Sequence, residues 1–165
     1  MIFGVKPLTG RVFSINTSSQ KGVAKKMVRQ AELEEGMGFS GDVHAGPGLR
    51  QVSLLSIEAI EDFESEVKVD VELGPGAFGE NITTEGLDLT KLRVGDELLV
   101  GTGAVLKVTQ LGKTCHAGCA ITKSTGRCIM PKLGVFASVE KGGTVRIHDR
   151  IQAQQTKRTF SWLKT

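Results

Sequence analysis

A mainly β chain, closed as a sandwich or barrel with one or two short helices, is the architecture this sequence predicts. Glycine is abundant, at 21 residues, and proline scarce, at 4. The glycines separate short apolar runs: GRVFSIN, RQVSLLS, GENITTEG, VGDELLVGTGAVLKVTQLG, GVFASVEKGG and TVRIHDRIQAQ. Short β-rich runs at turn-punctuated intervals are the pattern of an all-β domain. One stretch, SIEAIEDFESEV, stands out from them by its helical spacing.

Along the chain, GRVFSIN and RQVSLLS read as strands. The helix follows at Ser56, whose hydroxyl can cap the first amides, while Glu58, Glu61 and Asp62 load its start with negative charge that suits the helix dipole. Ile57, Ile60 and Phe63 recur at three-residue intervals and would face the core. A second short helix fits around Leu87 to Leu92. ELLVGTGAVLKVTQL reads as a hairpin, because Gly101 and Gly103 tolerate the positive φ of a tight turn. In KGGTVRIHD, Gly142 and Gly143 read as another turn, followed by a strand with Val145 and Ile147 inward. The polar end, residues 152–165, reads as an extension with Phe160, Trp162 and Leu163 as docking groups.

At 165 residues the chain fits one domain, 1–165, with its core over about residues 10–151. Hydrophobic residues at 39% and charged residues at 24% describe a globular protein rather than a disordered tail. The net charge of +3 is weak, and Lys21, Lys25, Lys26 and Arg29 are only loosely grouped. Aromatics at 5% offer no interleaved stacking pattern, so no nucleic-acid partner is expected. No run approaches the roughly 20 apolar residues of a membrane span, and no signal peptide is recognisable, so the expected location is cytoplasmic. Three cysteines, an odd number, suggest reduced thiols or metal ligands in such a compartment.

Three motifs carry chemistry. In GDVHAGPGLRQVSLLS, Asp42 and His44 would share a face of an extended chain, and Arg50 follows. An acid, an imidazole and a guanidinium beside a glycine-rich turn suit an anion; the plainer alternative is an Asx-turn at Asp42 with His44 capping a strand. In GAFGENITTEGLDL, Asn81, Thr83 and Thr84 offer hydrogen bonds to a phosphate or pterin-like ring, against the alternative of a bulge with Phe78 in the core. The third is TCHAGCAITKSTGRCIMP, which holds Cys115, Cys119, Cys128 and His116. A zinc site would need a second matching ligand pair, which the sequence does not supply. The c-type haem pattern is absent, and a disulfide is disfavoured in a reducing compartment. A reactive thiolate remains, for sulfur transfer or a soft metal, with Lys113, His116, Lys123 or Arg127 to lower its pKa.

Taken in order, these motifs resemble the MOSC domain, the C-terminal domain of molybdenum cofactor sulfurases, in its short standalone form. The resemblance runs from about Gly10 to Ile151 through GDVHAG, RQVSLLS, FGENITTEGLDL, VGDELLVG, AVLKVTQ, the cysteine run and GVFASVEKGGTVRIHD. It implies a MOSC-like β-barrel and a bound molybdenum–pterin cofactor. It implies Cys119 as metal ligand or sulfur carrier, because Cys-Ala-Ile-Thr matches the Cys-x-x-Thr context. Cys115 stays open as the alternate thiol, since other standalone members carry Pro-Cys nearer that position and this chain has Thr114 there. An anionic pterin phosphate needs hydrogen-bond donors and cations, for which Arg50, Lys113, Asn81 and Thr83 are available, with His44 and Arg50 as cofactor or substrate contacts and Cys128 left as bystander or support. The resemblance also implies sulfur carriage or reduction of N-hydroxylated compounds, with cofactor-biosynthesis or desulfurase enzymes as partners. The alternative is a non-catalytic carrier or scaffold. Pyridoxal phosphate belongs to a separate desulfurase domain and is not expected on this chain.

Overall fold

The computed structural model describes residues 8–67, 73–114, 125 and 127–155. Strands β1 (Thr9–Thr17), β5 (Val52–Ser56), β6 (Ile82–Glu85), β7 (Glu97–Val100), β8 (Ala104–Leu111), β9 (Val135–Lys141) and β11 (Arg150–Gln154) form a closed barrel. Its order is β11-β7-β8-β9-β5-β6-β1, and β1 pairs back onto β11 through Thr9–Gln152, Gly10–Ile151 and Arg11–Arg150. Closure removes the open edges that would otherwise invite aggregation. Strand β2 (Lys26–Val28) adds to β1 outside the ring, and β3 (Gln30–Glu34), β4 (Gly38–Phe39) and β10 (Gly143–Arg146) make a second, three-stranded sheet.

Helix α1 (Ile57–Glu66) follows the sequence reading closely. Ser56 accepts the Ala59 amide at 3.1 Å, and Ile57, Ile60 and Phe63 are the buried face. The helix is the crossover between β5 and β6, the parallel pair of the barrel; a parallel connection needs such an element. Side chains of β5 and β9 alternate between two cores. Val52, Leu54, Val135, Ala137 and Val139 face the barrel interior, whereas Leu55 and Phe136 face the cluster under α1 with Phe63, Phe78 and Met130. The second expected helix is a single 3-10 turn, Leu89–Lys91, capped by Asp88. A one-turn helix α2 (Met130–Leu133) precedes β9.

The hairpin at Gly101–Gly103 joins β7 to β8 as expected. Other readings differ. Gly142 and Gly143 do not close a hairpin, because β9 pairs with β5 and β8 while β10 pairs with β3. The chain crosses there from the barrel to the second sheet, and a Cβ on Gly142 would run into the Leu33 carbonyl. The single run TVRIHDRIQAQ is two strands, broken at Ile147–Asp149, where His148 has φ +74°. Ile147 lies in that turn, half-buried, rather than on a strand. Strand β11 continues to Gln154, past the expected end of the core. Phe160, Trp162 and Leu163 lie outside the described residues. Among the described residues, no helix is long and apolar enough to cross a membrane.

Candidate functional site

A cavity of about 590 Å³ opens beside the barrel, between the loop after β1, the 44–50 loop, the 77–81 segment and the start of β9. Its lining includes Lys21, His44, Arg50 and Lys113 and, among the described residues, no Asp or Glu. Glycines 22, 46, 48 and 79 keep parts of its wall at backbone level. Cys128, half-buried, and Phe136 complete the inner side. The Arg50 guanidinium and the Lys113 ammonium lie 5.9 Å and 6.0 Å from the Phe136 ring centre, so both cations neighbour one aromatic ring.

Beneath the rim lies a polar network that the sequence reading did not find. Lys25, which counted there as one of a few loosely grouped basic residues, is buried: its side chain is 1% exposed, as is that of Asp42. Its ammonium reaches Asp42 Oδ1 at 2.6 Å, Asp42 Oδ2 at 2.8 Å and His44 Nδ1 at 2.9 Å. Asp42 also accepts the amides of Ser18 at 3.0 Å and His44 at 3.1 Å. The second of these is the Asx-turn of the plainer reading. Burial pushes the Asp42 carboxyl up, but hydrogen bonds from Lys25, Ser18 and Asn81 together hold it below its ordinary value. For His44, burial acts first and the Lys25 charge second, both downward, and they outweigh the Asp42 carboxylate. The 3.9 Å approach of His44 Nδ1 to Asp42 is an ion pair only when the imidazole is protonated, which burial and the Lys25 charge disfavour.

Of the residues the sequence singled out, His44, Arg50, Asn81 and Lys113 come together around the one cavity. Asn81, 1% exposed, spends its amide inward: Oδ1 accepts the Ser53 amide at 3.0 Å and Nδ2 donates to the Asn16 carbonyl at 3.2 Å. It ties β5 to β1 under the cavity floor. Thr83 does not line the cavity; it is fully buried and accepts from Asn16 Nδ2 at 3.0 Å. Thr84 is fully buried as well. Cys115, Cys119, His116 and Lys123 lie outside the described residues, but Lys113 and Cys128, which flank that run, both border the cavity. Among the described residues no cluster of three or more His, Cys, Asp or Glu is placed to hold a metal ion.

Glu80 is the other missed residue. It is fully buried, one of its oxygens accepts the Gly76 amide, and Oε2 has no hydrogen-bond partner among the described residues. Burial raises its pKa from 4.5 to about 7, against the pull of the Gly76, Glu80 and Phe78 amides and of Lys25. The signal that could have found it is a Glu inside a glycine-rich apolar run, where burial must be compensated.

The MOSC domain family model matches residues 40–152. The chain belongs to the MOSC family. That family is associated with the molybdenum cofactor. Among solved structures, the YuaD protein of Bacillus subtilis is 21% identical with a TM-score of 0.76, over 92% of this chain and 99% of that one. YiiM of Escherichia coli is 19% identical with a TM-score of 0.67, over 94% of this chain and 73% of that one. YiiM of Geobacillus stearothermophilus is 20% identical with a TM-score of 0.69, over 88% and 75%. At these identities the likeness is one of fold, and it covers 88–94% of this chain. No curated protein matches the chain.

Proposed function

We propose that this MOSC protein binds the molybdenum–pterin cofactor in the cavity and presents a cysteine thiolate to it, Cys119 first and Cys115 as the alternate. The observation that carries the reading is the cavity's charge: Lys21, Arg50 and Lys113 line it, and among the described residues no carboxylate does. A pterin phosphate is a dianion that needs such donors, and the glycine-rich wall lets a flat ring approach backbone. The residues present therefore fit the group. Arg50 and Lys113, set on Phe136, would hold the phosphate, and His44 would add a further contact. When bound, the cofactor supplies two-electron chemistry at molybdenum, and a thiolate is a soft ligand suited to that metal. The cysteine run begins and ends at the cavity, next to Lys113 and Cys128, which supports placing its thiols in reach of the same ligand.

Sulfur carriage is the second reading, favoured by the same cations, which keep a nearby thiol ionised. A Cys119 thiolate would attack the outer sulfur of a desulfurase's persulfide, displace the donor thiolate and hold the sulfur as its own persulfide. A desulfurase or cofactor-synthesis enzyme is then the partner, and the reducing cytoplasm the setting. Cys119→Ala and Cys115→Ala, each purified from a molybdenum-competent host, test both readings. Loss of molybdenum and pterin in Cys119→Ala supports cofactor ligation. Cyanide-labile sulfur without metal, lost in the same variant, supports sulfur carriage. Unchanged content in both variants refutes the cysteine assignment.

A further inference from the structure

The ammonium of Lys25 has three N–H donors, and three acceptors surround it: both Asp42 oxygens and His44 Nδ1, at 2.6, 2.8 and 2.9 Å. The donor set is full, and the group is sealed from water. An ammonium cannot accept, so the atom of His44 that meets it must. Nδ1 is then the bare nitrogen and the ring proton sits on Nε2. The two nitrogens lie on different edges of the ring. With Nδ1 turned inward to Lys25, Nε2 faces the open side, where 49% of the side chain is exposed and where His44 lines the cavity.

We propose that Lys25 is a positioning residue that locks His44 as the neutral Nε2–H tautomer, so that the imidazole serves the cavity as a fixed hydrogen-bond donor to an anionic ligand. Asp42 anchors the device from below: it binds Lys25 with both oxygens and holds the loop by accepting the Ser18 and His44 amides. The charges facing the imidazole are Lys25, Asp42, Lys113 and Lys21, three cations against one carboxylate already engaged. A protonated His44 would stand against this field, whereas a neutral donor adds a directed hydrogen bond without adding to the repulsion. This gives the site two kinds of anion contact, flexible charges from Arg50, Lys113 and Lys21 and one preset donor that reads position.

The proposal rests on the reading of the cavity as an anion site, and the test separates the two. The wild-type protein, labelled with nitrogen-15 in histidine, is followed by long-range proton–nitrogen spectra from pH 5 to 8. His44 is expected as the Nε2–H tautomer at pH 7, with protonation below the ordinary 6.5. The comparison is the double variant Lys25→Met, Asp42→Asn, which removes the pair together, keeps net charge constant and avoids a stranded buried carboxylate. In it, His44 is expected to protonate nearer 6.5 and to mix tautomers, and inorganic phosphate is expected to bind about tenfold more weakly, the loss of one oriented hydrogen bond to a charged group. If the double variant fails to fold, the wild-type tautomer still decides. A wild-type His44 that is charged or carries its proton on Nδ1 at pH 7 overturns the proposal, as does an unchanged tautomer in a folded double variant. An Nε2–H signal that phosphate leaves unmoved upholds the lock and counts against the anion reading of the cavity.

Discussion

Replacing Glu80 by Gln tests whether a buried, neutral carboxyl sits behind the cavity wall. Glu80 is fully buried, with one oxygen on the Gly76 amide and the other without a partner among the described residues. Its pKa rises from 4.5 to about 7 on folding, burial being the main cause. A group whose folded pKa lies above its unfolded one binds more protons in the native state. Its contribution is fully present below pH 4.5 and is lost as pH rises through about 7. At about 1.4 kcal/mol per pH unit, the loss is about 3 kcal/mol over that window. Glutamine keeps an acceptor for the Gly76 amide and has no charge to bury. Its stability relative to wild type should therefore climb by about 3 kcal/mol between pH 4.5 and 7.5. Asp42 and His44 titrate in both proteins and cancel in the difference. Urea unfolding at half-unit pH steps measures it, and with slopes of about 1–3 kcal/mol per M the midpoint gap should open by about 1 M or more. A pH-independent offset between the two proteins would refute the neutral carboxyl, and a gap that narrows as pH rises would reverse its sign.

Two further outcomes follow from the same geometry. Gly76→Ala should destabilise the fold by about 2 kcal/mol or more in urea unfolding, because Gly76 has φ +87° and a Cβ there would strike the Lys25 carbonyl. Arg50→Ala and Lys113→Ala should each weaken phosphate binding by about tenfold in calorimetry while leaving the unfolding midpoint nearly unchanged, since Arg50 is exposed and Lys113 half-buried at the mouth of the cavity.

What the sequence revealed depended on how local the cause was. Helix α1 was readable in full because its cap, Ser56, and its buried face, Ile57, Ile60 and Phe63, are all signals within ten residues of one another. The barrel strands were readable for the same reason, since glycine punctuation and apolar runs are local. Strands β2, β3 and β4 escaped. Gln30–Glu34 has only Leu33 buried among its polar residues, and Gly38–Phe39 is two residues long. Pairing of β3 with β10, more than a hundred residues away in the chain, of β4 with β3 and of β2 with β1 supplies what their own composition lacks. The split of TVRIHDRIQAQ was hidden because a non-glycine residue, His148, takes the left-handed turn.

The site follows the same division. His44, Arg50, Asn81 and Lys113 could be singled out because motifs point to them, and the fold gathers them at one cavity. Lys25 could not, because in sequence a buried lysine looks like any surface one; only the arrival of Asp42 from a loop 17 residues on makes its burial tolerable. Thr83 had the right chemistry for a ligand contact, but β6 turns it toward Asn16. Cys128 was set aside as support and yet borders the cavity.

The buried carboxyls of Asp42 and Glu80 differ because one of them holds the Lys25 ammonium and the other does not. The ammonium hydrogen bonds of Lys25 go to Asp42 and His44, so Glu80 feels its charge only at a distance, as the last of the influences on its pKa. Asp42, with that ammonium and two amides, can stay ionised in the interior. Glu80 has backbone amides for support and an oxygen with no partner among the described residues, so desolvation decides its state and it holds its proton to near neutrality. One positive charge then balances one negative charge beneath the cavity floor. The cations at the rim, Lys21, Arg50 and Lys113, face no carboxylate among the described residues of the cavity lining. Their charge is left for whatever anion enters, and for that reason the basic lining matters more to this site than the protein's small net charge.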